Sequence, residues 1–179
     1  MAQLSKFLLL FSVLLFWQGC ASAQQEEKSS ALPPPAKMLG AIPVYDEFEH
    51  LEPLFHWKND TTYVINFWAT WCKPCVEELP YFEQLHKNLE GEKVKVVLIS
   101  LDFPRQLETK LLPFVEKNQL RSEVIALVDI QFNNWIDRVS PEWNGAIPVT
   151  MVYNAQKRHF YGEQFPSYEY LEKLVKAFL

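Results

Sequence analysis

The constraint with the widest reach is Trp71-Cys72-Lys73-Pro74-Cys75, two thiols set two residues apart where one structural period gives way to another. Ahead of it runs Val64-Ile65-Asn66-Phe67-Trp68, mostly apolar and rich in β-branched and aromatic side chains, which reads as a buried strand. Behind it Val76, Leu79, Phe82, Leu85 and Leu89 recur at helical spacing, with Pro80 inside the pattern and Gly91 at its end. Cys72 therefore falls at a strand-to-helix junction, where unpaired N–H groups and the helix dipole favour a thiolate. A thiolate in that place attacks disulfides. Cys75, in the first helical turn, can then close a ring with Cys72 and release the product, so one short segment holds an attacking and a resolving thiol. Pro80 predicts a kink in this helix.

Other uses of a cysteine pair fit less well. Zinc needs a second pair of ligands, but the remaining cysteine is Cys20, and His50, His56, His86 and His159 show no completing spacing. No metal and no cofactor are expected. Covalent haem attachment needs His directly after the second cysteine, where this chain has Val76. A purely structural disulfide stays open, although a bridge over so short a loop removes little chain entropy. The net charge of −5, without a basic patch, argues against a nucleic-acid partner.

The N-terminus points to export. Lys6 precedes an apolar run from Phe7 to Trp17, too short to span a membrane and of the right length for a signal-peptide core. Ala21-Ser22-Ala23 offers a small-residue cleavage site, so residues 1–23 read as a signal peptide. Gly19-Cys20 offers a second route, in which Cys20 is lipidated and kept as an anchor; Trp17 is a poor match to the Leu of a bacterial lipoprotein box. Either route leads to an oxidising compartment, a periplasm, where the dithiol is the only pair of thiols left free. Residues 24–41, polar and then stiffened by Pro33-Pro34-Pro35, read as a tether, and the folded domain is expected over 42–179.

Within 42–179 the periods alternate. Phe48, Leu51, Leu54 and Phe55 predict a helix, Thr61 to Trp68 a strand, and Val94 to Leu101 a central strand covered on both faces. Leu107 to Asn118 predicts a helix, Val124 to Val128 a strand and Phe132 to Val139 a helix. Val149 to Tyr153 and Arg158 to Tyr161 flank an Asn154-Ala155-Gln156-Lys157 turn, and Ser167 can cap a last helix. The pattern is that of an α/β sandwich.

Phe67-Trp68-Ala69-Thr70-Trp71-Cys72-Lys73-Pro74-Cys75, then Glu77-Glu78-Leu79-Pro80, and later Gly145-Ala146-Ile147-Pro148, resemble the thioredoxin superfamily, and within it the TlpA/ResA-like exported oxidoreductases. The resemblance implies a three-layer sandwich, a central mixed sheet flanked by helices, with Leu107 to Val128 as an extra helix and strand. It makes Cys72 the attacking and Cys75 the resolving cysteine, paired as a redox disulfide, and Pro148 a cis-proline facing them. Ile147 before it would then offer its backbone to an extended substrate. Pro148 as an ordinary strand-entry proline is the plainer alternative.

Two departures matter. Thioredoxin carries a buried Asp where this chain has Asn66, which cannot take and return a proton. The TlpA/ResA-like group instead places a carboxylate at the position of Glu78, which shares a helix face with Cys75 at i, i+3 and could accept its proton if burial raises its pKa. A first-turn acid balancing the helix dipole is the alternative role. Lys73, beside Cys72, favours the thiolate and draws the pair toward a more oxidising potential. Trp71 and Trp143 are candidates either for a substrate surface or for core. These readings point to an exported thiol–disulfide oxidoreductase, chiefly a reductase of an oxidised client protein, re-reduced by a membrane thiol-electron transporter. The alternatives are an oxidase, a peroxide-reducing enzyme, or a Cu(I) chaperone using the two sulfurs as soft ligands.

Overall fold

The computed structural model describes residues 31–179. The expected signal peptide, its cleavage site, Cys20 and most of the tether lie outside the described residues. Seven strands form one sheet, β1 (Lys37–Leu39), β2 (Ile42–Tyr45), β3 (Thr62–Trp68), β4 (Val94–Ser100), β5 (Glu123–Leu127), β6 (Val149–Tyr153) and β7 (Arg158–Tyr161), in the order β1-β2-β5-β4-β3-β6-β7. The four strands β2, β5, β4 and β3 are parallel, while β1, β6 and β7 pair antiparallel at the two sides. The sheet is thus mixed, as expected.

Strand β3 shows why helices cover both faces. All seven of its residues are buried, and successive side chains go to opposite sides. Val64 and Trp68 join one core, with Leu79, Phe82 and Leu85 of α2 (Lys73–Asn88) and Leu171 and Val175 of α5 (Tyr168–Lys176). Tyr63, Ile65 and Phe67 join the other, with Phe48 and Leu51 of α1 (Phe48–Leu51) and with Trp135 and Trp143. Asn66 has the parity of Val64 and Trp68, so it meets the α2 layer. This parity decides the chemistry of the site.

Several boundaries differ from the periodic reading. The folded part starts before Ile42: β1 turns at Gly40, φ +60°, into β2, Leu39 is buried, and Ala36 N–H donates to Val44 O. Part of the stretch read as tether is therefore sheet edge, because a three-residue strand with one buried side chain leaves almost no periodic signal. The first helix is split into α1 and a 3-10 turn, Glu52–Phe55, which carries Pro53 near its start. The helix over Leu107 to Asn118 opens as a π turn, Leu107–Leu111, before α3 (Leu112–Asn118), where Pro113 has no N–H to give to the preceding turn. Phe132 to Val139 resolves into a 3-10 turn and the one-turn α4 (Ile136–Val139). Helix α2 begins at Lys73, earlier than its apolar stripe, and runs through Pro80. Ser167 caps α5 as expected, accepting from Tyr170 N–H.

Candidate active site

Cys72 ends the loop after β3 and is the N-cap of α2; its Sγ accepts the Cys75 N–H at 3.3 Å. That N–H is one of the donors left over at a helix start, so the fold aims a fixed partial positive charge at the first sulfur. The two sulfurs are bonded, with the Cα atoms 5.3 Å apart. Cys72 is 6% exposed and Cys75 wholly buried, so Cys72 is the one of the pair nearer the surface.

The loop from Gly145 faces this pair. The Ile147–Pro148 bond is cis, and Ile147 O lies 3.7 Å from Cys72 Sγ. Trp143, one of the two candidate surface tryptophans, is core: it packs 4.6 Å from Phe67 by ring centroids, and its Nε1–H donates to Ala146 O at 2.7 Å, bracing the loop that holds Ile147. Trp71 is the opposite case, 51% exposed beside Cys72.

Glu78 is fully buried in α2, one turn beyond Cys75. Its Oε1 accepts from Asn66 Nδ2 at 2.9 Å and its Oε2 from Phe165 N–H at 2.8 Å. Burial pushes its pKa up to about 7, against the pull of those two hydrogen bonds. Asn66 Nδ2 also donates to Thr150 Oγ1 at 3.0 Å, while Asn66 Oδ1 is buried without a partner among the described residues. Glu77, its neighbour, points outward and lies 3.7 Å from Lys73 Nζ, so the cation beside Cys72 is shared with an exposed carboxylate. Among the described residues no three His, Cys, Asp or Glu side chains come together as a metal-binding group.

Sequence reasoning missed a second buried carboxylate. Asp102, just past β4, accepts from Thr70 N–H at 3.0 Å, from Ser100 Oγ at 2.8 Å and from the Thr70 hydroxyl, and so holds the loop that carries Trp71 and Cys72. The signal was there in an acid ending an apolar strand, but its partner Thr70 lies in another segment. The backbone N–H of Phe165 had no signal at all, since any residue supplies one.

With this geometry in place, comparisons with known proteins agree on the architecture. The AhpC/TSA family model matches residues 54–158. The sporulation thiol-disulfide oxidoreductase A of Bacillus subtilis (strain 168) is 26% identical over 122 residues, 68% of this chain and 68% of that protein. The thiol-disulfide oxidoreductase ResA of Geobacillus kaustophilus is 30% identical over 89 residues, 49% of this chain and 45% of that protein. The crystal structure of a DsbF homologue from Corynebacterium diphtheriae superposes with a TM-score of 0.54 at 23% identity, covering 66% of this chain and 73% of that one. The superposition speaks to the fold, which is thioredoxin-like.

Proposed function

We propose, for a chain that belongs to the AhpC/TSA family, that it is an exported thiol–disulfide oxidoreductase working mainly as a reductase of protein disulfides. The observation that carries the dithiol-exchange reading is the Cys72–Cys75 pair at the start of α2 with the buried Glu78 carboxyl, poised near neutral pH, one helical turn from the buried Cys75; the reductive direction is taken from the resemblance to the TlpA/ResA-like group. In the reduced enzyme the Cys72 thiolate attacks a client disulfide, forming a mixed disulfide and expelling one client thiolate. Cys75 then gives its proton to Glu78, attacks Cys72 Sγ, and expels the second client thiolate as the Cys72–Cys75 disulfide closes. Two electrons pass to the client. Without a base, a thiol shut away from water would resolve the mixed disulfide slowly at pH 7.

Each remaining part has a role in this scheme. Ile147, before Pro148, offers backbone to an extended client segment, and Trp71 offers it an apolar flank. Asn66 holds Glu78 against β3; its unpartnered Oδ1 gives a protonated carboxyl an acceptor if the amide turns over. Export by the segment 1–23, with Cys20 either removed or lipidated, puts the enzyme in a compartment where its disulfide must be re-reduced. A membrane thiol-electron transporter fits that need.

Trapping tests the scheme. Cys75→Ser should accumulate mixed disulfides through Cys72, which mass spectrometry of captured complexes would identify; accumulation with Cys72→Ser instead would reverse the two assignments. Equilibration of the pair against glutathione gives the direction. A potential near the thioredoxin value of about −270 mV supports reduction, and one near about −120 mV makes the enzyme an oxidase.

A further inference from the structure

Trp71 and Phe103 stack, ring centroids 6.0 Å apart and planes 17° from parallel, although both are solvent-exposed, at 51% and 40%. Single exposed apolar residues are ordinary on a soluble protein, and Met38, Ile130 and Leu179 are such cases here. Two large rings held against each other in water, directly beside a reactive cysteine, form a surface with a use.

The fold holds this pair in place with several bonds. The β3–β4 ladder ends with Trp68 opposite Ser100, and Leu101 N–H donates to Trp68 O at 2.8 Å. The next step is the side-chain latch of Asp102 onto Thr70, and one residue beyond it on each strand extension stand Phe103 and Trp71. Phe103 is held further by the turn it opens, Gln106 N–H donating to Phe103 O at 2.7 Å. Asp102 is buried and accepts from two hydroxyls and a backbone N–H, so the loop is fastened by hydrogen bonds shielded from water. What the latch sets is the position of the two rings relative to Cys72.

On the reading of the dithiol proposed above, we infer that Phe103 is a specificity-determining residue: with Trp71 it forms an aromatic plate that binds a large apolar side chain flanking the client's attacked cysteine. The Ile147 carbonyl lies 3.7 Å from Cys72 Sγ, so a client segment paired with Ile147 runs past Cys72, the residue next to Trp71 in the chain. A strand advances about 3.3 Å per residue, so the contact falls on positions immediately beside the client cysteine.

The test uses the reduced full chain and short peptides whose single cysteine carries a thionitrobenzoate leaving group, with Trp, Leu, Ser or Asp next to the cysteine. Release of the chromophore reads the attack by Cys72. Trp- and Leu-flanked peptides should react about tenfold faster than Ser-flanked ones, as an aromatic contact with its buried area allows. Phe103→Ala should shrink that preference to about twofold, and Phe103→Trp should keep it. Equal rates across the peptides, or a preference undiminished in Phe103→Ala, would overturn the inference while leaving the dithiol chemistry standing. A chain that reacted with no peptide would overturn the proposed function itself, and this inference with it.

Discussion

Glu78 ionises against its surroundings, and that has a sign that can be measured. Its folded pKa, about 7, is raised above the ordinary glutamate value of 4.5, so between those two values the folded state binds a proton that the unfolded state has released. Stability from this group is therefore full at low pH and declines as pH rises toward 7, by on the order of 3 kcal/mol for a wholly buried carboxyl. Glu78→Gln removes the ionisation and keeps the volume. Urea unfolding of both proteins at pH 5 and pH 8 should show the variant gaining on the wild type by that order as pH rises; a constant difference would place Glu78 in solvent contact. The same variant should lose the step near pH 7 in resolution of the mixed disulfide, with the outward-facing Glu77→Gln as control. The spacing of Glu78 from Cys75 was legible in the sequence. Its holders, Asn66 and the Phe165 N–H, were not, because they arrive from other elements.

Helix α5 connects this residue to the rest of the molecule. It buries Leu171 and Val175 against the same core as α2, and the segment just before it supplies the Phe165 N–H that holds Glu78. Ser167 secures its start, with Oγ accepting from Tyr170 N–H. Ser167→Ala should lower stability by about 1 kcal/mol in urea unfolding, the usual value of an N-cap. No loss would mean that core packing alone sets where this helix begins. Elements with a cap and a long stripe, such as α2 and α5, are legible from periodicity alone. Those interrupted by Pro53 or Pro113 are not, since apolar spacing of three and four residues is common to α, 3-10 and π turns.

At the scale of the whole sheet, the strand that escaped the sequence reading covers an edge. Strand β1 pairs along β2 and buries Leu39, and Tyr45 OH donates to Pro33 O beyond it. A chain begun at Ala41 should be less stable than one begun at Leu32 by about 2 kcal/mol or more, from the lost leucine burial and the bared strand edge. Equal urea midpoints would return the start of the folded domain to Ile42. The Pro33-Pro34-Pro35 run masked this strand, because its composition is also that of a stiff linker.

By itself the sequence determined the α/β class, the dithiol at a strand-to-helix junction, the Ser167 cap and the terminal hairpin, all of them set by neighbours along the chain. The tertiary structure alone decided which tryptophan is core and which is surface, since Trp71 and Trp143 differ only in what packs over them. It also brought Asn66 to Glu78 through the parity of β3, and set Asp102 on Thr70 and Phe103 on Trp71 through the register of β3 with β4. The physical reason is the same in each case: periodicity and capping report local backbone preference, whereas burial, carboxylate pKa and ring stacking depend on groups far apart in the chain and close only after folding.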